Sequence, residues 1–237
     1  MEPHYRRLLL KVSGEALGEG GGGLSPERLR YVARELAEAR AVGVELALVV
    51  GGGNILRGAA TREFDRVRAD QMGMLATLIN ALALSEALRR EGVENRVLSA
   101  LSVEGVGEPY HRDRALEHLA GGRVVILACG TGNPFFTTDT AAVLRALELG
   151  AEALLKATKV DGVYDKDPVR DPTARRYDYL SYEEVLSRRL AVMDLTAFSL
   201  AREHGLPLIV FNMLKSGNIK RAVLGEKVGT LVGGERK

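Results

Sequence analysis

The stretch Val124-Val125-Ile126-Leu127-Ala128-Cys129-Gly130-Thr131-Gly132-Asn133-Pro134-Phe135-Phe136-Thr137-Thr138-Asp139 decides the fold class. An apolar, β-rich run stops at a glycine, and a polar loop with a proline replaces it. The same order recurs along the chain. Runs at 8–12, 45–50, 96–101, 153–158 and 208–211 are separated by helical patterns, and 230–232 reads as a last edge strand. Strands alternating with helices need right-handed crossovers, which build a mainly parallel sheet covered on both faces. The expectation is an α/β protein, a mainly parallel central sheet sandwiched between helices in three layers, forming one domain over residues 1–237.

Helix ends are readable. Ser25-Pro26 supplies an N-cap and an N1 proline for a helix running toward Gly43, and Ser181-Tyr182-Glu183-Glu184 is a capping box. Gly121, Gly150 and Gly205 stand where C′ glycines are expected, the last followed by Pro207. A helix from about Asp70 to Arg90 carries two apolar stripes: Met72, Leu75, Ile79 and Leu82, then Met74, Leu78, Ala81, Leu84 and Leu88. A helix apolar nearly all round is buried or shared with another subunit, so a homo-oligomer is expected.

Composition narrows the partners. In 237 residues, 33 Lys and Arg stand against 31 Asp and Glu, so no basic excess calls for nucleic acid as the main partner. Cys129 is the single cysteine, which disfavours a disulfide-stapled, secreted class. The N-terminal apolar run is too short for a signal sequence and no stretch reads as a membrane span, so a cytoplasmic location without a membrane partner is expected.

Four strands end in loops suited to phosphate: Lys11-Val12-Ser13-Gly14-Glu15, Gly51-Gly52-Gly53-Asn54 with Arg57 behind it, the run from Gly130 to Asp139, and Thr158-Lys159-Val160-Asp161-Gly162. In an open parallel sheet such loops face one crevice beyond the strand carboxyl ends. Glycines admit phosphate oxygens to the backbone, and Lys and Arg neutralise them. One such loop alone would mean only a tight turn. Other chemistries find no support: there is no G-x-x-x-x-G-K-[ST], no H-E-x-x-H and no Cys/His spacing for zinc, so no dedicated metal site is expected. Gly18-Glu19-Gly20-Gly21-Gly22-Gly23 matches G-x-G-x-x-G, but it does not directly follow a strand and reads as a flexible surface loop.

These blocks, with Asp70 through Met74-Leu75-Ala76-Thr77, Lys156-Ala157-Thr158-Lys159-Val160-Asp161-Gly162-Val163-Tyr164, Asp194-Leu195 and Phe211-Asn212-Met213, resemble in order those of the amino acid kinase superfamily, specifically its bacterial uridylate kinases. The resemblance implies transfer of a phosphoryl group from ATP to UMP, with the acceptor in the N-terminal half and ATP, with its Mg²⁺, in the C-terminal half. It places Lys11, Val12, Ser13, Gly14, Gly53 and Arg57 along the phosphates and Thr158, Tyr164 and Asp167 around the ATP nucleoside. UMP would be held by Gly52, Asp70, Thr131, Gly132, Asn133, Pro134, Phe135, Phe136, Thr137 and Thr138, with Asp70 toward the ribose hydroxyls. Lys11 would be catalytic, with Asp139 orienting it or Mg²⁺. A hexamer, activation by GTP and inhibition by UTP are also implied, although residues 19–23 are more glycine-rich than the family's segment linked to GTP.

Plainer roles compete. Asp70 and Asp139 also suit helix N-caps, Thr158 a strand residue and Tyr164 a surface aromatic. The alternative functions are a carbamate or carboxylate kinase of the same superfamily and a nucleotide-sensing regulatory protein.

Overall fold

The computed structural model describes residues 2–20, 22–56 and 63–233. In chain order the elements are β1 (Arg7–Val12), α1 (Pro26–Arg40), β2 (Glu45–Val50), α2 (Arg66–Arg90), β3 (Asn95–Ser99), β4 (Glu108–Pro109), α3 (Arg112–Ala120), β5 (Val124–Ala128), α4 (Thr138–Leu149), β6 (Ala153–Thr158), β7 (Tyr179–Leu180), α5 (Tyr182–Ser187), α6 (Leu195–Glu203), β8 (Leu208–Asn212), α7 (Asn218–Val223) and β9 (Gly229–Val232). The strands form one sheet in the order β4-β3-β5-β2-β1-β6-β8-β9-β7. Its pairs are parallel except β8 with β9. The expected α/β architecture is therefore present. The chain begins mid-sheet, builds outward through β2, β3 and β5, and returns past β1 to lay down β6 and β8. Where the winding reverses, beside β1, the strand carboxyl ends leave a crevice.

Strand parity assigns the two cores. Leu8, Leu10 and Val12 point into a layer with α1, α2 and α7, while Leu9 faces the layer of α3, α4, α5 and α6. Lys11 shares the parity of Leu9. On β6, Leu154 faces that second layer, so Lys156 does too, and the β1–β6 register sets Lys11 opposite Lys156.

Local signals mostly act as expected. Ser25 Oγ accepts from Arg28 N at 3.3 Å, and Ser181 and Glu184 form the reciprocal capping box. Gly150 and Gly205 take left-handed φ values of 64° and 63°. Gly121 does not: its φ is −74°, and Gly122 at 78° makes the reversal. Residues 230–232 are not the edge either, because β7 pairs outside β9. Two-residue strands such as β4 and β7 leave no periodic trace.

Helix α2 starts earlier than its apolar pattern, because Asp65 caps it by accepting from Val67 N and Arg68 N. Its two stripes part company. Met74, Leu78, Ala81, Leu84 and Leu88 are core residues, whereas Leu75, Ile79 and Leu82 are 45%, 47% and 37% exposed. By length and hydropathy alone α2 would also pass as a membrane span, which the sequence reading did not register. Its buried side packs on α1 and on β2, β3 and β5, with Thr77, Asn80 and Ser85 hydrogen-bonded within that contact.

Candidate active site

The β1 and β2 loops interlock at the crevice floor. A Cβ on Gly14 would lie 2.5 Å from Asn54 Oδ1 and 2.7 Å from Gly53 N, so only glycine permits this approach. Behind them Asn54 and Asn80 exchange amide hydrogen bonds of 3.0 and 2.7 Å, and Asn80 Nδ2 also donates to Gly51 O at 2.6 Å. Asn54 donates further to Gly23 O, and Gly23 N returns a bond to Asn54 O. The glycine-rich segment, expected to be a free surface loop, is thus tied to the β2 turn through its described residues. Asn80 drew no notice in the sequence because a polar residue in an apolar helix shows its purpose only through a partner 26 positions away.

The charged centre stands where β1, β6 and α4 meet. Lys11 Nζ lies 3.0 Å from Asp139 Oδ1 and Lys156 Nζ 2.8 Å from Asp139 Oδ2, all three side chains being 15% exposed. Burial would push the Asp139 carboxyl up, but the two ammonium groups outweigh it and hold it below the ordinary carboxylate value. Burial also lowers the Lys156 pKa, opposed by Asp139, and the ammonium donates to the Val192 carbonyl as well. Asp139 is not the cap of α4: Thr137 Oγ1 accepts from Thr140 N at 3.1 Å. Thr137 in turn donates to Asp194 Oδ2 at 2.5 Å, and Asp194 caps α6 through Ala197 N at 3.0 Å.

Beside this centre opens a cleft of about 660 Å³. It gathers Gly52, Gly53, Asp70, Thr131, Asn133, Phe136, Thr137 and Thr138, all sequence candidates. Gly53, which the resemblance placed along the phosphates, also lines this cleft. Gly132, Pro134 and Phe135 belong to the same loop, and Phe135 N donates to Asp70 Oδ2 at 2.7 Å. Asp70 lies inside α2 and caps nothing. Arg66 Nε bonds both its oxygens, at 3.0 and 2.8 Å, and with the Phe135 N–H it overrides burial and lowers the carboxyl pKa. Arg66, Phe64 and Thr77 line the cleft and were missed; the Arg66–Asp70 spacing of four was the available signal. Arg57 lies outside the described residues.

On the β6 side, Thr158 Oγ1 donates at the strand end, 2.7 Å from Val160 O and 3.1 Å from Phe211 O. Tyr164 bridges to Arg176, and Asp167 Oδ1 accepts from Val169 N at 2.9 Å, so each is fixed in its own turn. Asp161 binds Lys215 Nζ at 2.8 Å and Asn212 Nδ2 at 3.0 Å, which lowers its pKa. Buried Glu35 of α1 accepts from Ser216 Oγ and Gly217 N, and Tyr31 donates to Met213 O, so α1 holds the loop that presents Lys215. Lys159 reaches Glu15 at 3.6 Å across the mouth of the crevice. A second cleft of about 650 Å³ at the β7–β9 edge contains none of the candidates.

The arrangement suits phosphoryl transfer: two lysines bridged by one carboxylate, glycine turns on either hand, and a cleft alongside. Comparison with known proteins agrees. The amino acid kinase family model matches residues 6–212. The chain is similar to the UMP kinase of Bacillus anthracis, with 41% identity and a TM-score of 0.95 over 98% of this chain and 97% of that one. It is similar to the UMP kinase of Ureaplasma parvum, with 34% identity and a TM-score of 0.92 over 97% and 99%. The uridylate kinase of Archaeoglobus fulgidus matches at 31% identity with a TM-score of 0.73 over 95% and 99%. Three-layer fold, crevice chemistry and family match coincide over nearly the whole length, and the chain belongs to the amino acid kinase family.

Proposed function

We propose that this protein transfers the terminal phosphoryl group of ATP to UMP, releasing UDP and ADP. The observation that carries the reading is the adjacency of the Lys11–Asp139–Lys156 centre to a cleft with Asp70 on its wall. The N-terminal half holds the acceptor and the C-terminal half ATP. UMP's phosphate is largely ionised at neutral pH, so the reaction needs alignment and charge stabilisation rather than a strong base. Lys11 and Lys156 supply the charge, and Asp139 keeps them from splaying apart. Mg²⁺ carried by the triphosphate would supply charge neutralisation at the phosphoryl oxygens, and Asp139 is the residue that would hold it. Asp139 Oδ1 suits it, being buried beside Lys11 without a well-directed hydrogen bond and so keeping a lone pair to offer.

A carboxylate or carbamate acceptor fits poorly, because Asp70 would repel it, whereas a ribose diol can donate to that carboxylate. An acceptor screen by ADP release, with UMP against carbamate, glutamate and aspartate, is expected to give turnover with UMP. Turnover confined to an acyl acceptor would overturn the assignment, and binding of both nucleotides without transfer would favour a sensor. Asp70→Asn is expected to weaken UMP by about 1.5–3 kcal/mol, since a charge-assisted acceptor is lost, and to leave ATP nearly unchanged. Equal weakening of both substrates, measured by calorimetry, would instead mark Asp70 as a helix-stabilising partner of Arg66.

The same proposal includes a homo-oligomer, a hexamer by resemblance, with a cytoplasmic location and with GTP activating and UTP inhibiting. The exposed stripe of Leu75, Ile79 and Leu82 supports the oligomer, because such a row is costly to leave in water. Ile79→Glu is expected to dissociate the assembly in sedimentation while the subunit stays folded. Leu78, one residue away, is 5% exposed, so Leu78→Glu would unfold the subunit instead. A wild-type protein that stays monomeric at all concentrations would remove this part of the proposal.

A further inference from the structure

The acceptor loop leaves β5 through two successive residues in the left-handed region, Cys129 with φ 62° and Gly130 with φ 56°. Glycine adopts this conformation freely, whereas for cysteine it costs on the order of 1–2 kcal/mol, so the surroundings must impose it. From the α2 side, Thr77 Oγ1 accepts the Cys129 N–H at 2.8 Å while donating its own hydrogen to Met74 O at 2.7 Å. From the opposite face, Arg145 of α4 donates Nη2 to the Gly130 carbonyl at 3.2 Å. The Cys129 N–H and the Gly130 carbonyl are each held by a side chain, and these two side chains come from opposite layers.

Arg145 is itself immobilised. It is 6% exposed, its Nη1 bonds Glu148 Oε2 at 2.7 Å, and its guanidinium lies 3.8 Å from the centroid of the Tyr110 ring. The Tyr110 hydroxyl donates to the same Glu148 oxygen at 2.6 Å. Burial and Glu148 together raise the Tyr110 pKa, so the phenol keeps its proton and its donor role. An apolar residue would fill this place in α4 with less desolvation cost than a guanidinium. What the arginine adds is a rigid, charged donor aimed at one loop carbonyl.

We propose that Arg145 is a positioning residue for the acceptor: by fixing the Gly130 carbonyl it sets the angle at which residues 131–138 leave β5 and meet the acceptor. The inference rests on the reading of that cleft as the UMP site. Thr131, Asn133, Thr137 and Thr138 all lie downstream of the pinned carbonyl and line the cleft. The β6 and β8 loops, on the ATP side, share no bond with Arg145 among the described residues.

Arg145→Met fills similar space without the donor or the stack. It is expected to raise KM for UMP about tenfold, since small displacements of positioning groups carry such costs, with KM for ATP and kcat changing less than threefold. Tyr110→Phe keeps the ring but removes the phenol's bond to Glu148, leaving that carboxylate held by Arg145 alone of the two, and a smaller rise in the same constant is expected from it even if Arg145→Met folds poorly. Titration of UMP without ATP reads the effect apart from turnover. A lower melting temperature with an unchanged UMP constant in both variants would make Arg145 structural only, and equal rises in both KM values would mean general loosening; either overturns the proposal. If the wild-type protein releases no ADP with UMP, the functional reading fails first, and a variant effect cannot be mistaken for that outcome.

Discussion

Lys11→Met is expected to lower the turnover rate by roughly 10²–10³, the scale seen when one preorganised stabilising donor is removed, while ATP affinity changes far less. The ammonium sits at the strand end beside the Gly14 turn, 3.0 Å from Asp139 and in register with Lys156. In the transition state charge spreads over the phosphoryl oxygens, and a fixed cation in a crevice interacts with it more strongly than with either ground state. Methionine keeps the apolar stem and deletes the charge. The geometry adds a control that sequence alone did not offer: Lys156→Met removes the other cation of the same carboxylate. If Lys11→Met keeps near-native turnover and only loses stability, Lys11 is a snorkelling strand-end residue and Lys156 or Lys159 carries the chemistry. Single-turnover rates at saturating ATP decide between these.

The sequence made the sheet and the loops visible because their signals are local. Strands β1, β2 and β5 are short apolar runs followed within two residues by glycine, and α1, α2, α4, α5 and α6 start at a Ser, Thr or Asp cap. Asp70 and residues 131–138 were legible through the family resemblance, and the cleft brings most of them together. What stayed hidden depends on register and face. Lys156 differs from any strand-end lysine only because the β1–β6 pairing sets it opposite Lys11, 145 positions away in sequence. Asn80 matters through Asn54 and the Gly51 carbonyl, both distant in sequence, and Arg66 was overlooked because the helix was read as beginning near Asp70. The two stripes of α2 were both seen, but composition could not say which faces water. That followed from which stripe α1 and the sheet cover.

Asp139→Asn is expected to cost both activity and stability, because it leaves two buried ammonium groups facing each other without the carboxylate that bridges them. Removing one partner of a buried ionic cluster costs about 3–5 kcal/mol, and the residual exposure of this trio puts the expectation at the low end. The pH dependence has a definite sign. The folded-state carboxyl is held below the ordinary carboxylate value, so its contribution is present above that ordinary value and is lost as pH falls through the lower, folded-state value. The deficit of the variant should therefore be full at neutral pH and shrink in acid below about pH 4. Adding Lys156→Met to Asp139→Asn removes one of the opposed cations and should restore much of the melting temperature while turnover remains low. That separation distinguishes the two duties of Asp139: holding the lysines together, which the double variant no longer requires, and aligning Lys11 on the moving phosphoryl group, which it still lacks. A double variant no more stable than the single one would mean that Asp139 does not restrain Lys156, and the charged centre would have to be rebuilt around Lys11 alone.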